Sequence, residues 1–384
     1  MTVELITATE FVSLAYTSKQ LNAVARKRWI RNSVALQRIL NVYGTMRLTR
    51  DQTFHVDLIE GSAMVWQPDL VCGWNPIRST DTGDIEVTPV RIKLNDEICL
   101  RTDFNGLFDF YIENQGDGTT EPDAEVHNTF LDAIGQGAMH GLRLQGLIGG
   151  IQAGLTPQAG VSAENVARFT ATKNTNQGVF TKVIADGLNN PDLLPDTDFA
   201  AGKYTGSVLD LYESLLSAGG TGVQTLVQQG AVITDGSTGG QPFILMSPVL
   251  GTKLYAEIRA MNREASANNA PLGFETYTAE GVTLKVPTIQ GIPVLVDPIL
   301  GYYDKITGAT TAIMAITATQ NIQFGLSFSD VGARLFGTGF GLTATRSNLP
   351  GQDEKLYVAS KTLIASIISD MTLASIAARV IPAA

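Results

Sequence analysis

The chain has 384 residues, enough for two or three packed units, and its 27 Lys and Arg are outnumbered by 37 Asp and Glu, giving a net charge of −10. Charged residues make up only 17% of it and Gly reaches 38 residues; so sparse a charge fits burial against neighbouring copies, because interface cores are depleted of charge, and fits an ordinary glycine-rich enzyme equally. Two cysteines, Cys72 and Cys99, exclude a disulfide framework, no run of eighteen apolar residues offers a membrane span, and no basic flank followed by an apolar stretch marks a secretion signal.

The first fifty residues read as mostly helical, on a loose apolar spacing through Leu21, Val24, Ala25, Ile39 and Leu40, with Gly44 as the stop. Within them, residues 19–50 hold eight bases and no acid: Lys19, Arg26, Lys27, Arg28, Arg31, Arg38, Arg47 and Arg50. A window this one-sided faces a polyanion or the acidic surface of another copy; the plainer reading is a solvated helix face. It carries no zinc finger, RNP pattern or recognition helix, so any contact with nucleic acid would run through phosphates without reading bases.

Two extended stretches follow, about 54–74 and 84–94, around a polar turn at Ser79–Asp84. Ile85 to Leu94 alternates apolar and polar as a half-exposed strand does, and Pro89 keeps it from a central sheet position. Together they predict a long two-stranded arm, which is marginal in water unless it lies on something. Residues 121–148 predict one long helix with Pro122 near its start. Gly135, Gly137, Gly141 and Gly146 would each weaken it by up to about 1 kcal/mol, a sign that another backbone packs close. Residues 149–203, rich in Gly, Asn, Asp and Pro, predict loops with short elements.

From about 204 helices and strands alternate. Tyr204, Val208, Leu211, Tyr212, Leu215 and Leu216 form an apolar stripe ended by Gly219. Phe243–Met246 reads as a buried strand, and Ser247-Pro248 as the cap and first residue of a helix with the stripe Leu250, Leu254, Ile258 and Met261. Residues 265–270 read as a loop. Strands are expected at 282–287, 292–296, 311–318 and 322–328, then a strand-rich tail to about 369. The class is α+β, without a βαβ repeat.

Catalytic signals are poor. His55, His127 and His140 are scattered, with no metal-binding spacing. Gly337–Gly341 lacks the Lys-Ser/Thr of a phosphate loop, Ser237 among its glycines lacks the spacing of a nucleophile elbow, and Asn114, Asp117, Glu121 and Asp123 miss the calcium-loop pattern. No enzymatic activity, metal or cofactor is expected.

The order of these segments resembles the HK97-type major capsid protein of tailed double-stranded DNA bacteriophages. The local matches are Pro242–Pro248 with the helix after it, Thr288–Pro298 with its Gly-Ile-Pro-Val run, the returning strand Ile85–Leu94, and the long helix at 121–148. The resemblance implies an HK97-like capsid fold: an N-terminal arm (1–53), an extended β-ribbon loop (54–100), a peripheral domain with the spine helix 121–148 (101–203), a mixed α/β axial domain (204–335) and strands returning to the peripheral domain (336–384). It further implies hexamers and pentamers tiling an icosahedral head in the virion, assembled in the bacterial cytoplasm around double-stranded DNA, with a portal. The ribbon of one copy would lie across its neighbour. Lys93 is the one lysine of the ribbon region and sits near its base, so no Lys–Asn isopeptide crosslink is expected. The start at Met1 fits a separate scaffolding protein. The rival readings are an encapsulin-like compartment, a tail or surface-layer protein and, more remotely, a hydrolase using Ser237 or His140.

Overall fold

The computed structural model describes residues 5–7, 42–48, 52–61, 80–99, 137–138, 140–151, 154–172, 178–185, 189–229, 240–264, 273–279, 282–327, 343–347 and 355–382. Two six-stranded sheets organise them. One runs in the order β16 (Ala374–Ile381), β12 (Thr310–Ala318), β8 (Pro242–Met246), β11 (Ile292–Val296), β10 (Val282–Ile289), β9 (Phe274–Ala279). Every residue of β8 and β12 is buried, because this sheet is covered on both faces. Strand alternation sorts its side chains into two cores. Phe243, Leu245, Ile313, Ala315 and Leu295 join one; Ile244, Met246, Ala312, Met314 and Val294 join the other. Strands covered on both faces read as continuous apolar runs, as Phe243–Met246 does.

Helices α4 (Val208–Ala218) and α6 (Pro248–Glu264) supply the second core with Val208, Leu211, Tyr212 and Leu215 from one and Leu250, Leu254 and Ile258 from the other. The start of α4 is satisfied twice. Ser207 Oγ accepts the Asp210 N–H at 3.2 Å, and both carboxylate oxygens of Glu257, on α6, accept the Val208 N–H at 3.0 and 3.2 Å, where a negative charge also favours the helix dipole. Ser247, expected as the cap of α6, turns its Oγ to the sheet and accepts the Ile313 N–H at 3.2 Å.

The other sheet runs β1 (Leu5–Thr7), β14 (Thr343–Ser347), β15 (Lys355–Ile368), β13 (Ile322–Leu326), β2 (Tyr43–Arg47), with β5 (Val90–Cys99) along the free side of β15. Helix α1 (137–138 and 140–148) packs between the sheets through Leu142, Leu144, Leu147 and Ile148. The remaining pair, β3 (Phe54–Gly61) and β4 (Thr80–Val87), forms an antiparallel two-stranded ribbon of its own.

The helical reading of the first fifty residues fails where they are described. Residues 5–7 and 43–47 are strands, and Gly44 lies inside β2, where Gln323 leaves no room for a side chain. Thr80–Asp84, read as a turn, belongs to β4. The strand expected across 84–94 changes sheet at Thr88-Pro89, since proline offers no N–H to continue the ladder. Ile85–Val87 therefore pair with β3, and Val90–Leu94 with β15. The expected loops at 149–203 contain two helices, α2 (Ala163–Thr172) and α3 (Val179–Ala185). β9 was not anticipated, and β16 lies past the strand-rich tail expected to end at about 369. β13, placed with the 204–335 unit, pairs in the sheet of β2 and β15, and β16, placed with the returning strands, pairs with β12. The described part of the long helix covers only its second half; 121–136, Gly135 and the loop at 265–270 lie outside the described residues. Among those residues Gly137 and Gly141 have no atom near enough to oppose a side chain. Gly146 alone of the three is closely approached, by the Phe324 ring rather than by backbone.

Candidate functional site

Three places concentrate polar chemistry or surface. The first is the ribbon. Its register sets His55 opposite Glu86, Asp57 opposite Asp84 and Glu60 opposite Asp81. Its two strands carry five acids and no Lys or Arg. Residues directly opposite share a face of the ribbon. His55 and Glu86, which stand opposite each other, are exposed. The other face begins with Phe54, Ile85 and Val87, which pack with Leu48, Ala365 and Ile367 and seat the ribbon's base on the β15 sheet.

The second is a buried ion pair. Arg143 on α1 donates from Nη2 to Asp297 Oδ2 at 2.5 Å, and the two side chains are 1% and 0% exposed. Asp297 ends β11, and its Oδ1 also accepts the Ile299 N–H at 3.1 Å. The pair joins α1 to the β8–β11 sheet. Tyr43 lies against it, and burial, then the Asp297 charge, pushes its phenol well above the usual range. His140, one turn before Arg143, is held below its ordinary value by burial and then by the Arg143 charge.

The third is a shallow groove of about 520 Å³ beside β16, lined by Ile151, Ile184, Asn189 and Arg379. Asn189 closes part of that strand's edge: its side chain donates to the Ala378 carbonyl at 2.9 Å and accepts the Ala378 N–H at 2.8 Å, which shields an otherwise open ladder.

Of the eight bases singled out from sequence, Arg47 is described, exposed at the end of β2 opposite Leu326. Lys19, Arg26, Lys27, Arg28, Arg31, Arg38 and Arg50 lie outside the described residues, as do Cys72, His127, Ser237, Gly337–Gly341 and the Asn114–Asp123 acids. Among the described residues no three His, Cys, Asp or Glu side chains gather as metal ligands, and no helix is long and apolar enough to cross a membrane. Sequence reasoning passed over the Arg143–Asp297 pair. The available signal was an arginine set between Leu142 and Leu144 on a helix otherwise apolar at that point.

No protein-family model and no curated protein matches the chain. Among solved structures it is similar to the capsid of a native GTA particle, at 12% identity and a TM-score of 0.44 over 98% of each chain. It is similar to the satellite phage P4 procapsid that includes the size determination protein Sid, at 9% identity and a TM-score of 0.45 over 90% of this chain and 96% of that one. It is also similar to the SrpI encapsulin of Synechococcus elongatus, at 11% identity and a TM-score of 0.42 over 97% and 95% of the two chains.

Proposed function

We propose that this chain is a shell subunit, an HK97-type major capsid protein. Its copies form hexamers and pentamers of an icosahedral phage head enclosing double-stranded DNA. The observation that carries this reading is the β3–β4 ribbon: eight-residue strands pair only with each other in the described fold, their base seated on one sheet. An isolated two-stranded ribbon is marginal in water. A neighbouring copy that receives it supplies the missing packing, and heterologous contacts of that kind close into rings. The scarcity of charge supports the same reading.

In this reading residues 1–53 are the arm, 54–100 the ribbon with β5 returning to the β15 sheet, 101–203 the peripheral unit with its spine helix, 204–335 the axial unit apart from β13, and 336–384 the returning strands apart from β16, which joins the axial sheet. The basic window from Lys19 to Arg50 faces the interior or a neighbour, meeting phosphates without base selection. The role is structural, in the virion, after assembly in the host cytoplasm with a separate scaffolding protein and a portal. Sizing and negative-stain microscopy of the expressed chain test it. Closed shells are expected, together with their loss, but a soluble subunit, on deletion of 76–83. A chain that stays monomeric under all assembly conditions, or forms tubes or flat sheets, refutes the proposal. Closed particles that package protein and never nucleic acid would move it to a compartment shell.

A further inference from the structure

Among the described residues the chain passes directly from one six-stranded sheet to the other twice, and the two passages lie side by side. Residues 319–321 lead from the end of β12 to the start of β13, and residues 369–373 lead from the end of β15 to the start of β16. Asn321 joins them. Its backbone carbonyl accepts the Ser369 N–H at 2.9 Å, and its side-chain Oδ1 accepts the Asp370 N–H at 2.8 Å. Its Nδ2 donates to the Asp370 carbonyl and to Thr317 Oγ1, each at 2.9 Å. The amide is buried and both of its N–H donors are used. It thus supplies a rung of strand-like pairing between two passages that are not strands.

Each passage is also held from its far side. Gln320 donates its N–H to the Val42 carbonyl at 2.7 Å, just before β2, and Thr319 donates its own to the Gln241 carbonyl at 2.8 Å, just before β8. On the second passage Asp370 Oδ1 accepts the N–H and the hydroxyl of Thr372 at 2.8 and 2.6 Å. Helix α5 (Gly220–Gln229) lies so close to this passage that a side chain at Gly222 would run into the Thr372 carbonyl. Gln320 has a φ of +63°, a left-handed conformation that is unfavourable for any residue with a Cβ. Such a residue persists where its surroundings over-determine it. The sheets also share α1, packed between them through apolar side chains. That packing is non-directional, whereas the amide bonds of Asn321 hold one geometry.

We infer that Asn321 is a positioning residue that fixes the angle between the two sheets and, through it, the diameter of the shell, an inference that rests on the shell reading. Heterologous contacts close into a ring only at one rotation between copies. In a subunit that meets neighbours through both sheets, that rotation is transmitted across the joint. Loss of the amide leaves the strands of each sheet paired and lets the angle between the sheets vary.

Assembly of the full chain tests this, with particle diameters read by negative-stain microscopy and unfolding midpoints of the dissociated subunit read in urea. Asn321→Ser removes the side-chain bridge. Ile258→Val trims the core under α6, outside the joint, and serves as the control that lowers the midpoint alone. The wild type is expected to give one diameter class and Ile258→Val the same class. Asn321→Ser is expected to give several classes or particles that do not close. Several classes from the wild type, Asn321→Ser shells of the wild-type diameter, or an equal spread from Ile258→Val overturn the inference and leave the shell reading standing. A wild-type chain that never assembles overturns both. If Asn321→Ser fails to fold, hydrogen exchange of the wild-type subunit decides: the Ser369 and Asp370 N–H groups are expected to exchange as slowly as those of β12. Exchange about a hundredfold or more faster than β12 would show a joint that opens on its own, and would overturn the inference.

Discussion

Replacing Gly146 by alanine tests how α1 meets the β13 strand. A Cβ at this position would lie 2.6 Å from Cε1 and 2.8 Å from Cδ1 of Phe324, well inside van der Waals contact. The ring has no open space to retreat into. Phe324 is 2% exposed, and its ring lies 5.2 Å from that of Tyr43, itself buried against the Arg143–Asp297 pair. Forcing a methyl into such a core costs about 1–3 kcal/mol, while alanine for glycine inside a helix returns about 1 kcal/mol. Gly141, on the same helix, meets nothing within 4 Å among the described residues, so Gly141→Ala should show the gain alone. The expected result is a separation of about 1–3 kcal/mol between the two variants, with Gly141→Ala above wild type and Gly146→Ala at or below it. Urea unfolding of the dissociated subunit, followed by circular dichroism, gives both values. A cycle with Phe324→Leu should recover part of the Gly146→Ala loss through direct coupling. Equal stabilisation by the two alanines would refute the close approach of α1 to Phe324.

Two further outcomes follow from buried charge. Arg143→Met should destabilise the subunit by about 3–5 kcal/mol, because Asp297 is left charged and buried, whereas Arg143→Met/Asp297→Leu should regain most of that loss; a double variant no better than the single would contradict the pairing. Asp304 is pushed up to about 6, from 3.8, by burial, against the Thr311 N–H that donates to its Oδ1 at 3.1 Å. Its proton is held more tightly folded than unfolded, so its contribution is intact below the unfolded value and is lost as the pH rises through the interval from about 4 to about 6. The loss is about 3 kcal/mol at 1.4 kcal/mol per unit. Asp304→Asn should therefore match the wild type near pH 4 and exceed it in urea midpoint near pH 7.5. Equal midpoints at both pH values would show that the carboxyl is solvated.

What was legible in the sequence follows the range of the interactions concerned. The Phe243–Met246 strand and the helix after Pro248 could be read because their signals are local: an apolar run, a proline at the first helical position, and a stripe repeating every three or four residues. The α2 and α3 helices were hidden by the glycine and asparagine around them. Thr80–Asp84 has the composition of a turn, and what makes it a strand is its pairing with residues 57–61 across the ribbon. β16 falls in the stretch expected to return as strands, but its sheet was not legible, since Ala374–Ile381 is rich in alanine and its strand state comes from β12 on one side and Asn189 on the other. The eight bases could be named from the sequence, but where seven of them act lies outside the described fold.

The two charged features differ in how they could have been found. Arg143 and Asp297 are 154 residues apart, and nothing local in either segment names the other. The ribbon's carboxylates were visible as letters, yet as letters they read as solvated polar residues. Only register sets Asp57 opposite Asp84, and only the packing of Phe54, Ile85 and Val87 shows how the ribbon's base is seated on the β15 sheet.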